Sequence, residues 1–247
     1  MRRNWGGLLY TSGGQPTGTS RMIKKYALPV RVYVLFLVVA VLLVRLGFDG
    51  FPNYGWIKMA VATGYLLAAV VMGASDSRLG AWLLRGFACA WWGDFFLMGP
   101  GKLFFLAGLI AFLLGHVCYC VAFATHGARW RIALPSYLVL ACPGAFLLWK
   151  CWPGIPAGLG LPAVVYLAAI TLMVALSFAC IGRPGAWLLV VGAVLFYLSD
   201  MGVSAHAFGK EQMDLLKPLV ILYFPAQYLL ALAIPVARRA AKKAYSA

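Results

Sequence analysis

The chain has 247 residues, of which 64% are hydrophobic and 11% are charged, and its mean hydropathy is +0.88. A water-soluble domain carries charge on about a quarter of its residues, so this composition excludes one. The net charge of +15 is spread over loops and tails, and no soluble domain is present to carry a binding surface for nucleic acid. The composition therefore points to a membrane protein with no nucleic-acid partner.

Apolar segments of about twenty residues, long enough to cross a bilayer as helices, follow one another along almost the whole chain. They lack the alternation of apolar and polar residues that is typical of a membrane β-barrel. Eight segments are predicted to span the membrane: 28–48, 56–73, 80–99, 103–124, 132–149, 157–180, 186–208 and 217–236. We therefore expect an all-α integral membrane protein, folded as a bundle of about eight transmembrane helices.

Short connections rich in Gly and Pro join the predicted helices, so residues 28–236 are expected to form a single transmembrane domain. Residues 1–27 are predicted to be a flexible basic tail, and residues 237–247 a second basic tail. The apolar run that follows Met22 also resembles a signal peptide. It is long, however, and no small-x-small cleavage site follows it, so we interpret it as the first span and Met22 as an alternative start.

The basic residues are distributed unevenly between the two sides of the predicted bundle. Of the 21 Lys and Arg residues, six fall on one side and the remaining 15 fall on the side that holds both termini. The six are Arg45, Lys58, Lys102, Lys150, Lys210 and Lys217. Positively charged loops stay in the cytoplasm, which predicts that both termini are cytoplasmic, in a bacterial inner membrane. The basic tails are expected to lie near anionic membrane lipids.

Two carboxylates lie inside predicted spans, whereas the other four acidic residues fall in loops. Asp94 lies in "CAWWGDFFLMG" and Asp200 in "VLFYLSDMGV". Each costs about 2.5–3.5 kcal/mol in the middle of a membrane helix, and no Lys or Arg is predicted near the centre of another span to offset that cost. We therefore predict that both are functional; the alternative is that each caps a helix or bonds a neighbouring Ser or Tyr.

The predicted spans place the two carboxylates at similar depths. Counted from the non-cytoplasmic ends of their spans, Asp94 lies about 7.5 Å deep and Asp200 about 12 Å deep, at about 1.5 Å per residue. Two carboxyl groups in one pocket do not both ionise easily, so one is expected to keep a proton while the other is anionic. Asp200, which this count places deeper, is favoured as the acid.

Further polar residues near these two are predicted to bind the substrate: Lys58, His116, Tyr119, Tyr197, Ser199, Tyr223 and Gln227. Lys58 is expected at the pocket mouth, where it either snorkels to the headgroups or holds a phosphate. His116 is equally well explained as a hydrogen-bonded core residue. No pair of histidines is spaced to share a metal ion on one helix face and no Cys-x-x-Cys occurs, so we predict no metal site.

The positions of the two carboxylates hint at an internal repeat. They lie four spans apart, each after a small residue, Gly93 or Ser199. The spans that follow them carry Tyr119 and Tyr223. A parallel four-plus-four duplication would produce this pattern. Coincidence among aromatic-rich helices is the alternative.

At these residues the sequence resembles the YhhN-like family of membrane proteins, the lysoplasmalogenases. The resemblance is carried by "GDFFLM" (93–98), "FLAGLIAFLLGHVCY" (105–119), "VLFYLSD" (194–200) and "YFPAQYLLA" (223–231). It implies an eight-helix enzyme that hydrolyses the vinyl ether bond of lysoplasmalogens to a fatty aldehyde and a glycerophospho-ethanolamine or -choline, without a cofactor. It also places the family's proposed acid pair at Asp94 and Asp200. The Lys-Pro with which family members tend to open the second span is Lys58-Met59 here.

The residues agree with that chemistry independently, since hydrolysis of a vinyl ether needs a proton donor and an anion but neither a metal nor a nucleophilic Ser. Glycosidases divide labour between two carboxyl groups in the same way, around a similar cation. The rival interpretations are a small transporter or proton-coupled carrier that uses the two membrane-embedded aspartates, and a purely structural membrane protein.

Overall fold

The computed structural model describes residues 54–209 and 211–245. Residues 1–53, which include the whole predicted N-terminal tail and the predicted first span, lie outside the described residues, as do Lys210 and residues 246–247. In the described part the chain forms α-helices and short 3₁₀ helices with no strand, so the predicted all-α class is confirmed. The α-helices are α1 (Tyr54–Val71), α2 (Arg78–Phe96), α3 (Gly101–Thr125), α4 (Trp130–Cys151), α5 (Gly160–Ala179), α6 (Ala186–Phe208) and α7 (Tyr223–Tyr245).

Five helical segments in the described part of the chain are long and apolar enough to cross a membrane. They are Gly101–Thr125, Trp130–Gly154, Gly160–Ala179, Ala186–Phe208 and Met213–Ala241. Helix α1 provides a shorter apolar stretch, Gly55–Val71, and α2 is not among the five because it carries Arg85 and Asp94 in a Trp-rich sequence. The protein is an integral membrane protein, and the total of eight spans stays a prediction.

Neighbouring helices approach closely where a glycine replaces a side chain. At Gly86 of α2, an added Cβ would lie 2.2 Å from a ring carbon of Tyr119 in α3. At Gly192 of α6, it would lie 3.0 Å from the backbone oxygen of Ala226 in α7. Glycine leaves room for the facing helix at both positions, as is common at helix contacts in membranes. Helix α2 therefore packs tightly on α3, and α6 packs tightly on α7.

The predicted eighth span, 217–236, consists of two kinds of helix. A 3₁₀ helix covers Glu211–Leu222 and contains Pro218, and α7 begins directly after it. The backbone of the 3₁₀ helix runs close to α6, and the Ser199 hydroxyl of α6 donates a hydrogen bond of 3.3 Å to the carbonyl of Val220. A 3₁₀ run of this length is unusual, since most end within four residues. It places Tyr223, the first residue of α7, inside the bundle.

Candidate active site

A cavity of about 210 Å³ opens into one half of the bundle, and both aspartates line it. Its walls come from the C-terminal halves of α2, α4 and α6, the N-terminal halves of α1, α3 and α5, and the start of α7. Most of the lining is apolar, with aliphatic and phenylalanine side chains. The polar side chains on the wall are those of Lys58, Asp94, Tyr166, Tyr197, Ser199, Asp200, Ser204 and Tyr223. An apolar cavity with a few polar groups at one place is suited to a lipid-like ligand.

Asp94 is buried to 1% exposure, and each of its oxygens has a donor. The Lys58 ammonium lies 2.7 Å from Oδ1, and the Tyr223 hydroxyl donates a bond of 2.7 Å to Oδ2. The sequence-based expectation that no cation compensates the carboxylate is therefore wrong. The Lys58 ammonium reaches inward from α1 to the carboxylate of α2, because an ion pair satisfies both groups where water is scarce. A cation beside a carboxyl group favours its anionic form.

Asp200 has a tyrosine and a histidine as partners in place of a lysine. The Tyr166 hydroxyl of α5 donates a hydrogen bond of 2.6 Å to Oδ2. The Nε2 atom of His116 lies 3.4 Å from that same oxygen and 3.0 Å from the Tyr166 hydroxyl. His116 is fully buried, and its ring packs edge-on against Tyr166. The three side chains therefore form one hydrogen-bonded group on three helices, α3, α5 and α6.

Sequence reasoning did not single out Tyr166. The chain has 12 tyrosines, and a tyrosine within an apolar helix is more often a packing or interfacial residue than part of a site. The one available signal is its place in the otherwise apolar run "PAVVYLAAI" at the middle of a predicted span. In the structure the Tyr166 hydroxyl makes the shortest hydrogen bond to Asp200, so Tyr166 belongs to the site.

Three residues predicted to line the pocket lie behind its wall. His116, Tyr119 and Gln227 are fully buried and are absent from the cavity lining, so the predicted lining is wrong for these three. The Tyr119 hydroxyl donates to Gln227 Oε1 at 2.8 Å, and Gln227 Nε2 donates to the Tyr223 hydroxyl at 3.2 Å. These bonds join α3 to α7 and orient the tyrosine that bonds Asp94. Tyr65 of α1, also fully buried, lies 3.2 Å from the same Tyr223 hydroxyl.

Two other predicted residues line the cavity, but their hydroxyl groups are used on the backbone. The Tyr197 hydroxyl donates to the carbonyl of Leu140 at 2.8 Å, and Ser199 bonds Val220 as described above. Pro143 lies within the same turn of α4 as Leu140, where a proline disturbs the helical hydrogen bonds. These hydroxyls therefore connect α6 to its neighbours, and their part in binding a ligand stays a prediction.

The relative burial of the two carboxylates is the reverse of the expected order. Asp94 is 1% exposed, whereas the side chain of Asp200 is 15% exposed. Counting residues from a span end does not include what covers the side chain, and Lys58 and Tyr223 cover Asp94. Depth therefore gives no reason to choose Asp200 as the acid, and the choice has to come from the hydrogen-bonding partners.

The fold and the carboxylate pair define the class of protein, an integral membrane protein with an acidic site inside an apolar cavity. The chain belongs to the YhhN family, whose family model matches residues 53–234. It is 32% identical over 156 residues to the lysoplasmalogenases of Mycobacterium tuberculosis and Mycobacterium bovis, covering 60% of this chain and 59% of theirs. It is 29% identical over 170 residues to the Sus scrofa lysoplasmalogenase TMEM86B, covering 69% of each chain.

The chain thus spans about three fifths of the length of the mycobacterial relatives it matches. A search of the solved structures gave no match. The similarity to the YhhN family that the sequence motifs indicated is confirmed. The family match includes both aspartates and all the partners described above.

Proposed function

We propose that the protein is an ether hydrolase that cleaves the vinyl ether bond of a lysoplasmalogen or a related lysolipid. The products are a fatty aldehyde and a glycerophospho-ethanolamine or -choline. The observation that carries the proposal is the meeting of two carboxylates at one apolar cavity within a membrane helix bundle. The names of the mycobacterial and porcine relatives support this substrate class.

The reaction needs one proton donor and one anion. A carboxylic acid transfers its proton to the second carbon of the vinyl ether, and the electron pair of the double bond forms the new C–H bond. The first carbon becomes an oxocarbenium ion, which the second carboxylate stabilises. Water adds to that carbon and returns a proton to the acid. The resulting hemiacetal collapses as its hydroxyl proton moves to the glycerol oxygen, the C–O bond breaks and the aldehyde leaves.

The apolar wall suits the single hydrocarbon chain of a lysolipid. The cavity occupies one half of the bundle, so a single hydrocarbon chain would lie in it while the phosphate headgroup stays at the membrane surface. Lys58 lines this cavity and is 20% exposed, so its ammonium is also within reach of a polar substrate group. Membrane lipids surround the bundle, and we place the protein in a bacterial inner membrane with both termini in the cytoplasm.

The test is the release of aldehyde from a purified lysoplasmalogen by the protein in detergent. Asp94→Asn and Asp200→Asn keep the size of the side chain and remove the titrating group. Each is expected to lower the rate by about 10²–10⁴-fold, the usual contribution of a positioned acid or base. Asp76→Asn is the matched control, because Asp76 is exposed and its ion pair with Arg238 lies at the surface.

Folding of each variant is checked by its elution as a single species from a sizing column. Aldehyde release at the wild-type rate by both Asn variants would show that the carboxylates are structural. A wild-type protein that releases no aldehyde from vinyl ether lysolipids with either headgroup would refute the proposed function itself.

A further inference from the structure

The two aspartates occupy matching places in a repeated sequence. Residues 78–84 read RLGAWLL, and residues 183–189 read RPGAWLL. A glycine follows each copy, Gly86 in the first and Gly192 in the second, and the aspartate comes eight residues after that glycine. Seven-residue segments with six identities, each followed by the same Gly-to-Asp spacing, are the signature of an internal repeat.

The structure gives the two aspartates comparable neighbours. Gly86 is a close contact of α2 with the following helix, and Gly192 is a close contact of α6 with the following helix. Lys58 lies 13 residues before the end of α1 at Val71, and Tyr166 lies 13 residues before the end of α5 at Ala179. Lys58 and Tyr166 therefore occupy similar places, each on the helix before its aspartate.

The second partner of each aspartate also occupies a similar place, but it comes from the opposite half. His116 follows Asp94 by 22 residues, and Tyr223 follows Asp200 by 23 residues. Asp94 nevertheless bonds Tyr223, and Asp200 contacts His116. Each carboxylate thus takes one partner from its own half and one from the other half, a pattern that a two-fold arrangement of two parallel repeats would produce.

We propose that the partner on the preceding helix sets the role of each aspartate: Lys58 holds Asp94 as the anion, and Tyr166 positions Asp200 as the proton donor. This inference rests on the proposed function and assigns a role within it to each half. Tyr166 is a positioning residue, since its hydroxyl acts on the carboxyl group of Asp200.

The two carboxyl groups differ in how many of their oxygen atoms have a hydrogen-bond donor. Both oxygens of Asp94 accept from donors, and one donor is a cation, so a proton on Asp94 would displace one of them. On Asp200, Tyr166 and His116 both approach Oδ2. Within the described part of the chain Oδ1 of Asp200 has no hydrogen-bond partner, and the side chain keeps 15% exposure at the cavity. Oδ1 is therefore the atom that presents a proton to the ligand.

His116 completes the group around Asp200, and among the described residues that group contains no Lys or Arg. The Tyr166 hydroxyl donates to Asp200, so it accepts from Nε2–H of His116. The Nδ1 atom of the same ring is buried and has no partner among the described residues. Asp200 is thus contacted by a tyrosine and a histidine, while Asp94 belongs to an ion pair with Lys58.

Binding of two inert lipids tests the charge states without any turnover. One probe is a lysophosphoethanolamine analogue with a secondary ammonium in place of the vinyl ether, and the other is the neutral alkyl ether lysolipid of the same chain length. We expect Asp94→Asn to weaken the ammonium lipid by about 10-fold or more, because it removes the anion and leaves Lys58 uncompensated. Asp200→Asn resembles the protonated acid and is expected to change binding of either lipid by less than about 3-fold.

The reverse pattern, with Asp200→Asn losing the ammonium lipid and Asp94→Asn keeping it, would overturn the assignment. Equal effects of both variants would overturn it as well. The neutral lipid reports whether the cavity still folds, so a general loss of both probes identifies a damaged variant. The double variant Lys58→Met/Asp94→Asn, which removes both charges of the ion pair, then replaces Asp94→Asn as the probe of charge. These measurements stay interpretable if no vinyl ether is hydrolysed, which separates this inference from the proposed function.

Tyr166→Phe tests the positioning role, with Tyr137→Phe as the control because Tyr137 lies on α4 outside the cavity. Loss of the hydroxyl is expected to lower kcat by about 10–100-fold and to change KM by less than about 3-fold, since the hydroxyl acts on the acid and not on the ground-state lipid. Affinity for the ammonium lipid should be unchanged. A higher KM with an unchanged kcat would show instead that the hydroxyl binds the substrate.

Discussion

Removing the cation from the Lys58–Asp94 pair should destabilise the bundle as well as the site. Lys58→Met keeps an unbranched side chain of similar length and removes the charge. The carboxylate it leaves behind is 1% exposed, with Tyr223 as its remaining donor. Breaking a buried ion pair by deleting one partner costs about 3–5 kcal/mol, because an uncompensated charge stays in a medium of low polarity. We expect roughly 3 kcal/mol, the lower end, since Lys58 itself keeps 20% exposure.

The assay is chemical unfolding in detergent micelles, compared with a matched pair at the surface. Lys217 and Asp214 also lie 2.7 Å apart, but their side chains are 35% and 60% exposed. Lys217→Met should therefore change the free energy of unfolding by less than about 1 kcal/mol. The double variant Lys58→Met/Asp94→Asn removes the stranded charge and should be more stable than Lys58→Met alone.

Unfolding of Lys58→Met at the same denaturant concentration as the wild type would show that the Lys58 ammonium does not stabilise the bundle. The coupling of the two charges would also be refuted if the double variant is less stable than either single variant, because the two side chains would then stabilise the bundle independently of each other. Lys58→Arg keeps the charge and is the conservative check on the importance of the cation.

Two further predictions concern the orientation of the bundle. Reporter fusions at Ala247 and between residues 209 and 211 should report opposite sides of the membrane, with Ala247 cytoplasmic, because of the charge distribution of the loops. A periplasmic signal at Ala247 would show that the topology is inverted. In that orientation the cavity lies in the non-cytoplasmic half of the bundle. Sealed spheroplasts should therefore hydrolyse externally added lysoplasmalogen faster than sealed inverted vesicles do. Equal rates, or a faster rate in the inverted vesicles, would argue against entry of the substrate from the outer leaflet.

The helices and the carboxylate pair could be predicted from the sequence because both follow from the cost of placing polar groups in lipid. Twenty-residue apolar runs have few alternatives to a membrane helix. An aspartate in such a run, as at Asp94 and Asp200, requires partners wherever the helix packs. The two aspartates lie four spans apart, so their helices cross the membrane in the same direction. Both side chains therefore lie in the same half of the bundle, where they share a cavity.

The partners were harder to predict because they depend on how the helices are rotated and spaced. Lys58 falls at the edge of its predicted span, where a lysine most often reaches outward to the headgroups. It reaches inward here because α1 packs beside α2 with the Asp94 carboxylate facing it. Tyr166 carries no such signal, and its role becomes visible only when α5 is seen against α6. His116 and Gln227 were recognised as polar residues of the core, and the packing places them behind the cavity wall.

The crossed partners explain why the bundle cannot be divided into two working halves. Asp94 needs Tyr223, which stands at the start of the last helix, and Asp200 needs His116 from the first half. The Tyr119–Gln227 bond joins the same two helices behind the cavity wall. Each carboxylate therefore takes one of its partners from the other half of the described bundle. Lysine beside one aspartate and tyrosine beside the other give two similar carboxylates unlike electrostatic surroundings.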